Sequence, residues 1–141
     1  MDYAALAERM SQAHCAHLRE LYCLSEHLVC HGEDGMLLCL WGQEGPLLSG
    51  ELMEKMGLTT GRVANLLRQM ENKGLVRRWQ DREDRRRVYV GLTDEGCARA
   101  EARYAEMTES HRKVLEALGE EKALEVLRVI EEYLSLMPGD R

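Results

Sequence analysis

The sequence predicts a mainly α-helical protein with one small β-hairpin, and three observations carry that expectation. Apolar residues recur at helical spacing near both ends of the chain, two short helical segments meet at a glycine-containing turn, and two strand-like runs flank a crowded arginine segment. At 141 residues the chain has the length of one domain able to bury a core, so a single domain over residues 1–141 is expected.

Residues 2–31 contain no proline or glycine, and Leu6, Met10, Leu21, Leu24 and Leu28 keep helical spacing, which predicts one long amphipathic helix closed by His31-Gly32. A short helix follows through "DGMLLCLWGQ" until glycine and proline in "GQEGP" break it, and Pro46-Leu47-Leu48 reads as a brief extended stub. Ser49 is placed to cap "GELMEKMG", which Gly57 stops. Thr59 or Thr60 can cap the next helix, whose Val63, Leu66, Leu67 and Met70 form one apolar stripe ending at Gly74. These two helices and their tight turn predict a helix-turn-helix, with residues 59–73 in the reading position.

"LVRRWQ" and "RVYVGL" then predict a hairpin whose tip, Asp81 to Arg86, is too polar to pack inside. Thr93 is a plausible cap for a long helix through about Leu118, with Asp94 and Glu95 complementing the helix dipole in the first turn. Gly119 interrupts it. From Glu120, a second apolar stripe runs through Leu124, Leu127, Ile130, Leu134 and Met137 until Pro138-Gly139. The expected architecture is a winged helix-turn-helix core at residues 34–96, with long N- and C-terminal dimerisation helices at 1–32 and 97–141.

Composition removes several classes of function. The charged fraction is 31% and the hydrophobic fraction 45%, which fits a globular chain and not a disordered one. The start "MDYAALAERM" lacks the basic flank and apolar run of a secretory signal, and "MLLCLW" is too short to span a bilayer, so no membrane partner is expected and the cytoplasm is the expected location. No phosphate-binding glycine loop, nucleophile motif or paired-carboxylate site appears, so an enzyme is not expected.

Charge distribution supplies the positive case. The chain carries −6 overall, yet residues 59–90 hold nine basic against four acidic side chains, a local +5 that leaves −11 elsewhere. With the apolar stripe of the second helix turned inward, Thr60, Gly61, Arg62, Ala64, Asn65 and Arg68 face outward. A helix of that size fits the major groove of double-stranded DNA, where arginine reads guanine and asparagine reads adenine. Beyond it, Arg82, Arg85, Arg86 and Arg87 at the hairpin tip suit the negative minor groove.

Residues 45–96, and above all "DREDRR" followed by "VGLT" and Gly96, resemble the DNA-binding core of the multiple-antibiotic-resistance regulator (MarR) family of bacterial repressors. The resemblance covers about a third of the chain by motif and the flanking helices by architecture. It implies a homodimer, joined through the first and last helices, on an inverted repeat in operator DNA, and a repressor modulated by a small-molecule effector, an oxidant or a metal. It also implies that Arg86 enters the minor groove and that Asp84 orients it. Two departures are visible: Arg82 stands where the family often has proline, and Ala64-Asn65 where it often has threonine-arginine. The alternative is a winged-helix module that binds protein through the same surface.

A second constellation lies in the first helix. Met10, His14, His17, Leu21, Leu24, Leu28 and His31 alternate at spacings of four and three, a coiled-coil pattern. Overlapping it, Cys23, His27 and His31 share a face with Glu26 and Cys30 alongside, and His111 on a later helix is a further candidate. These are zinc ligand types at helical spacing, so a zinc- or thiol-responsive sensor is an alternative within the same family, set against inert packing of the cysteines. The five cysteines, with no CxxC, do not make a disulfide framework.

Overall fold

The computed structural model describes residues 2–5 and 32–136. The long first helix, its coiled-coil pattern and the Cys23–His31 cluster fall outside the described residues, as do Met137, Pro138 and Gly139. The elements run α1 (Gly32–Trp41), β1 (Leu47–Leu48), α2 (Ser49–Met56), α3 (Thr60–Asn72), β2 (Val76–Gln80), β3 (Val88–Leu92), α4 (Asp94–Leu118) and α5 (Glu120–Leu136). No described helix is long and apolar enough to cross a membrane. The chain separates into two compact units, Met1–Ala105 and Glu106–Arg141.

In the first unit, the apolar stripes predicted from spacing become the core. Met36, Leu37 and Leu40 of α1 meet Leu52 of α2, the Val63, Leu66, Leu67 and Met70 face of α3, and Leu75, Val76 and Val90 of the sheet. The turn between α2 and α3 is closed by Gly57 in the left-handed region at φ 62°, where its N–H donates to the Glu54 carbonyl and Leu58 N–H to Met53. Thr59 caps α3, its hydroxyl oxygen accepting the Arg62 N–H at 3.3 Å.

Ser49 is a correction. It is the first residue of α2, not its cap; Leu48 holds the cap position with no side-chain bond to the helix. The Ser49 hydroxyl instead donates to the Val88 carbonyl at 3.3 Å, fastening α2 to β3.

The extended stub is a true strand. β1 pairs antiparallel with β3, which also pairs with β2, giving a three-stranded sheet in the order β1-β3-β2. Register sorts the side chains by face. Leu47, Val76 and Val90 point to the core, while Arg77, Trp79, Tyr89 and Gly91 share the outer face, with Arg77 opposite Gly91 and Trp79 opposite Tyr89. The hairpin connection runs from Asp81 to Arg87, one residue longer than expected, because Arg87 N–H donates to the Asp84 carbonyl and its own carbonyl accepts from Asp81 N–H.

The start of α4 is built against the root of the hairpin. Thr93 caps it by accepting Gly96 N–H at 3.0 Å, donates its hydroxyl proton to the Gly74 carbonyl at 2.5 Å, and gives its backbone N–H to Leu75. A Cβ added at Gly96 would lie 2.0 Å from the Leu75 carbonyl oxygen, so only glycine permits this approach.

The second unit holds the end of α4 and all of α5, joined at Gly119 with φ 80°. Arg112 bridges Glu109 and Glu116 along the α4 surface. On α5, Leu124, Leu127, Val129, Ile130, Tyr133 and Leu136 are all exposed.

Candidate nucleic-acid interface

The outer face of α3 is as the stripe predicted. Thr60, Gly61, Arg62, Asn65 and Arg68 are exposed, and Ala64 is half-buried. Thr60 hydroxyl donates to the Met53 sulfur at 3.2 Å, which ties the first turn of α3 back to α2. A Cβ at Gly61 would meet nothing within 4 Å, so this glycine leaves open space before the helix face. Arg68 Nη2 donates to Asn65 Oδ1 at 3.0 Å. That bond uses one of the two lone pairs of the Asn65 carbonyl oxygen and holds the two side chains together on the outer face.

The hairpin tip is shaped by two aspartates. Asp81 Oδ1 accepts the backbone N–H of Glu83 at 2.8 Å and of Asp84 at 3.3 Å, while its Oδ2 accepts the Tyr89 hydroxyl at 3.2 Å. Asp84 Oδ1 accepts both the backbone N–H and the Nε of Arg86 at 3.1 Å, and Oδ2 takes Nη2 at 3.4 Å. The Arg86 side chain is nevertheless 91% exposed: the aspartate aims the guanidinium without covering it. Arg82, Arg85 and Arg87 are exposed beside it. The Arg86 guanidinium and N–H hold the Asp84 carboxyl below its usual value, and the Glu83 and Asp84 N–H groups do the same for Asp81, with help from Tyr89.

The positive charge counted in the sequence divides by role. Lys73 makes a two-point ion pair with Glu33 at 2.8 and 2.9 Å, and Arg78 a second with Glu71 at 3.0 and 3.3 Å, so these two cations fasten α3 to α1 and to β2. Arg78 also depresses the Glu71 carboxyl. The arginines outside these two pairs are Arg62 and Arg68 on the helix, Arg77 on the outer face of the sheet and the four on the tip.

Tyr89 is the part that sequence reasoning missed. Its ring stacks on Trp79 with centroids 5.9 Å apart, and its hydroxyl reaches Asp81. The available signal was the period of the strands, which places Trp79 and Tyr89 on one face. As for the metal candidates, His111 is exposed on α4 and the other five lie outside the described residues; among the described residues no group of three or more ligand-type side chains is close enough to hold an ion. Burial raises the Cys39 thiol above its ordinary value.

Comparison with known proteins agrees with this geometry. The MarR family model matches residues 34–88, which spans α1 to the start of β3. The transcriptional regulator TtmR of Methylorubrum extorquens is 38% identical over 73 residues, covering 52% of this chain and 37% of TtmR. The homoprotocatechuate degradative operon repressor of Escherichia coli is 29% identical over 85 residues, covering 55% of this chain and 57% of the repressor. The chain therefore spans less than two thirds of either curated relative. Among solved structures, MepR of S. aureus in complex with DNA aligns over 94% of this chain and 93% of its own at TM-score 0.60 and 26% identity. Helix-turn-helix, three-stranded sheet and aspartate-braced arginine tip thus occur together on a chain whose residues 34–88 match the MarR family model.

Proposed function

We propose that this protein is a homodimeric, sequence-specific DNA-binding transcriptional regulator, acting in the cytoplasm as a repressor on an inverted-repeat operator and released by a small-molecule effector. The observation that carries the reading is the Arg86 side chain, held by Asp84 yet open to solvent at the tip of the hairpin. Orienting an arginine without burying it prepares the group for an anionic partner at no further conformational cost. In this reading Thr60, Gly61, Arg62, Asn65 and Arg68 face the major groove, and Arg82, Arg85 and Arg86 the minor groove, with Asp84 as the brace.

Dimerisation is supported by α5, whose exposed Leu127, Ile130 and Tyr133 suit a second copy better than water. Two reading helices on a two-fold axis call for half-sites about 34 to 36 Å apart.

The test is selection of bound duplexes from a random library, followed by titration at several salt concentrations. A recovered inverted repeat with a steep loss of affinity in salt is the expected result, because phosphate contacts release counterions. Binding without sequence preference or salt dependence overturns the reading in favour of a protein-binding module.

A further inference from the structure

Met53 fastens the helix-turn-helix joint twice, through its backbone and through its side chain. Its carbonyl oxygen accepts the Leu58 N–H of the turn at 3.2 Å, and its thioether sulfur accepts the Thr60 hydroxyl, in the first turn of α3, at 3.2 Å. The residue is half-buried and lines an open cleft of about 180 Å³ with Ser49, Thr60, Val63, Leu67 and Arg78. That cleft gives a small solute a route to the side chain. Met36 and Met70, by contrast, are sealed in the core with no exposed surface.

The chemistry of the two bonded groups gives this contact its interest. A thioether is a weak acceptor, so the Thr60 hydroxyl is loosely held and free to turn to a stronger one such as a phosphate oxygen. Oxidation turns the thioether into a polar sulfoxide, whose oxygen is a far better acceptor. At this position the new oxygen would retain the Thr60 hydroxyl and set a polar group against Val63 and Leu67, at the start of the reading helix.

We propose that Met53 is a modification site, oxidised to the sulfoxide by hypochlorous acid, and that the added oxygen lowers affinity for duplex DNA. The sulfur attacks chlorine, the O–Cl bond breaks and a chlorosulfonium forms; water then adds its oxygen to sulfur as chloride leaves. The net change is thioether and hypochlorous acid to sulfoxide, chloride and a proton, with two electrons passing from sulfur to chlorine. The modification stands without reference to DNA; its effect on affinity rests on the function proposed above.

The experiment treats the full-length protein with graded hypochlorous acid, quenches with free methionine, and reverses disulfides and sulfenic acids with dithiothreitol. Peptide mass spectrometry is expected to find sulfoxide at Met53 while Met36 and Met70 stay reduced. The treated protein is then divided on an immobilised duplex taken from the selection described above. Retained protein should be depleted in Met53 sulfoxide about tenfold against protein that passes through, whereas the sulfoxides of the half-buried Met56 and Met107 should divide evenly. Met53→Leu keeps apolar volume without an oxidisable sulfur, and against its own untreated sample it should lose less than about twofold in affinity on treatment. The proposal is overturned if Met53 stays reduced at doses that oxidise Met56 and Met107, if its sulfoxide divides evenly on the duplex, or if Met53→Leu loses as much affinity on treatment as the unmodified protein. Absence of duplex binding before treatment counts against the DNA-binding reading alone, since the sulfoxide at Met53 is measured without DNA.

Discussion

Tyr89 donates its hydroxyl proton to Asp81 Oδ2 at 3.2 Å while the other oxygen of the same carboxylate collects the backbone N–H groups of Glu83 and Asp84. One carboxylate therefore joins the wall of the sheet to the turn from which Asp84 and Arg86 project. Tyr89→Phe removes the hydroxyl and keeps the ring on Trp79. Duplex affinity should fall by roughly threefold, with the midpoint of thermal unfolding nearly unchanged. Unaltered affinity in a binding titration means that Oδ1 alone sets the tip.

Arg86→Ala should weaken operator binding on the order of tenfold and reduce the slope of affinity against salt by about one phosphate contact. Asp84→Ala should also weaken binding, although it deletes a negative charge beside DNA, because Arg86 then loses all three of its bonds to that carboxylate. Tighter binding by Asp84→Ala together with a silent Arg86→Ala leaves the tip as a charged surface loop. Asn65→Ala should relax base preference more than it changes total affinity.

Both wing aspartates are held below their ordinary value of 3.8. A carboxyl with a depressed folded value contributes stability that is complete above its unfolded value and is lost as pH falls through the folded one. The backbone amide signals of Glu83, Asp84 and Arg86 should therefore hold their positions near neutral pH and move in acid with a midpoint below 3.8. A transition centred above that value contradicts the hydrogen bonding described for the tip.

Gly96→Ala forces a methyl to within 2.0 Å of the Leu75 carbonyl oxygen. Alanine is the better helix former by about 1 kcal/mol, yet overpacking at a buried contact costs about 3 kcal/mol, so the variant should be less stable in urea unfolding. A more stable variant shows that the α4 start can slide away from the hairpin.

Ile130→Glu places a charge among the exposed apolar side chains of α5. Light scattering at micromolar concentration should show the dimer giving way to monomer, with loss of affinity for the full inverted repeat and retention of weak half-site binding. A stable dimer in this variant moves the subunit contact to another surface.

What the sequence made legible was local. Thr59 as cap and Gly57, Gly74 and Gly119 as helix stops depend on neighbours within one turn, and each is found in its expected role. Ser49 fails as a cap because Val88, distant in sequence, offers its carbonyl to the same hydroxyl. The pairing of β1 with β3 and the Lys73–Glu33 ion pair were hidden for the same reason: no periodicity records which distant segment arrives beside a given residue. At the site, the arginine-rich tip was visible from its polarity, whereas Tyr89 was not. Its alternation with Trp79 marks a shared face but not the hydroxyl's reach to Asp81.

The joint between hairpin and α4 leaves no hinge. Thr93 is bonded to both Gly74 and Leu75, and Gly96 rests on the Leu75 carbonyl, so no slack peptide lies between the long helix and the reading head. Such a joint transmits tilt as a rigid lever does. A small rotation imposed on the first turns of α4 swings the arginine tip through an arc set by the length of the hairpin.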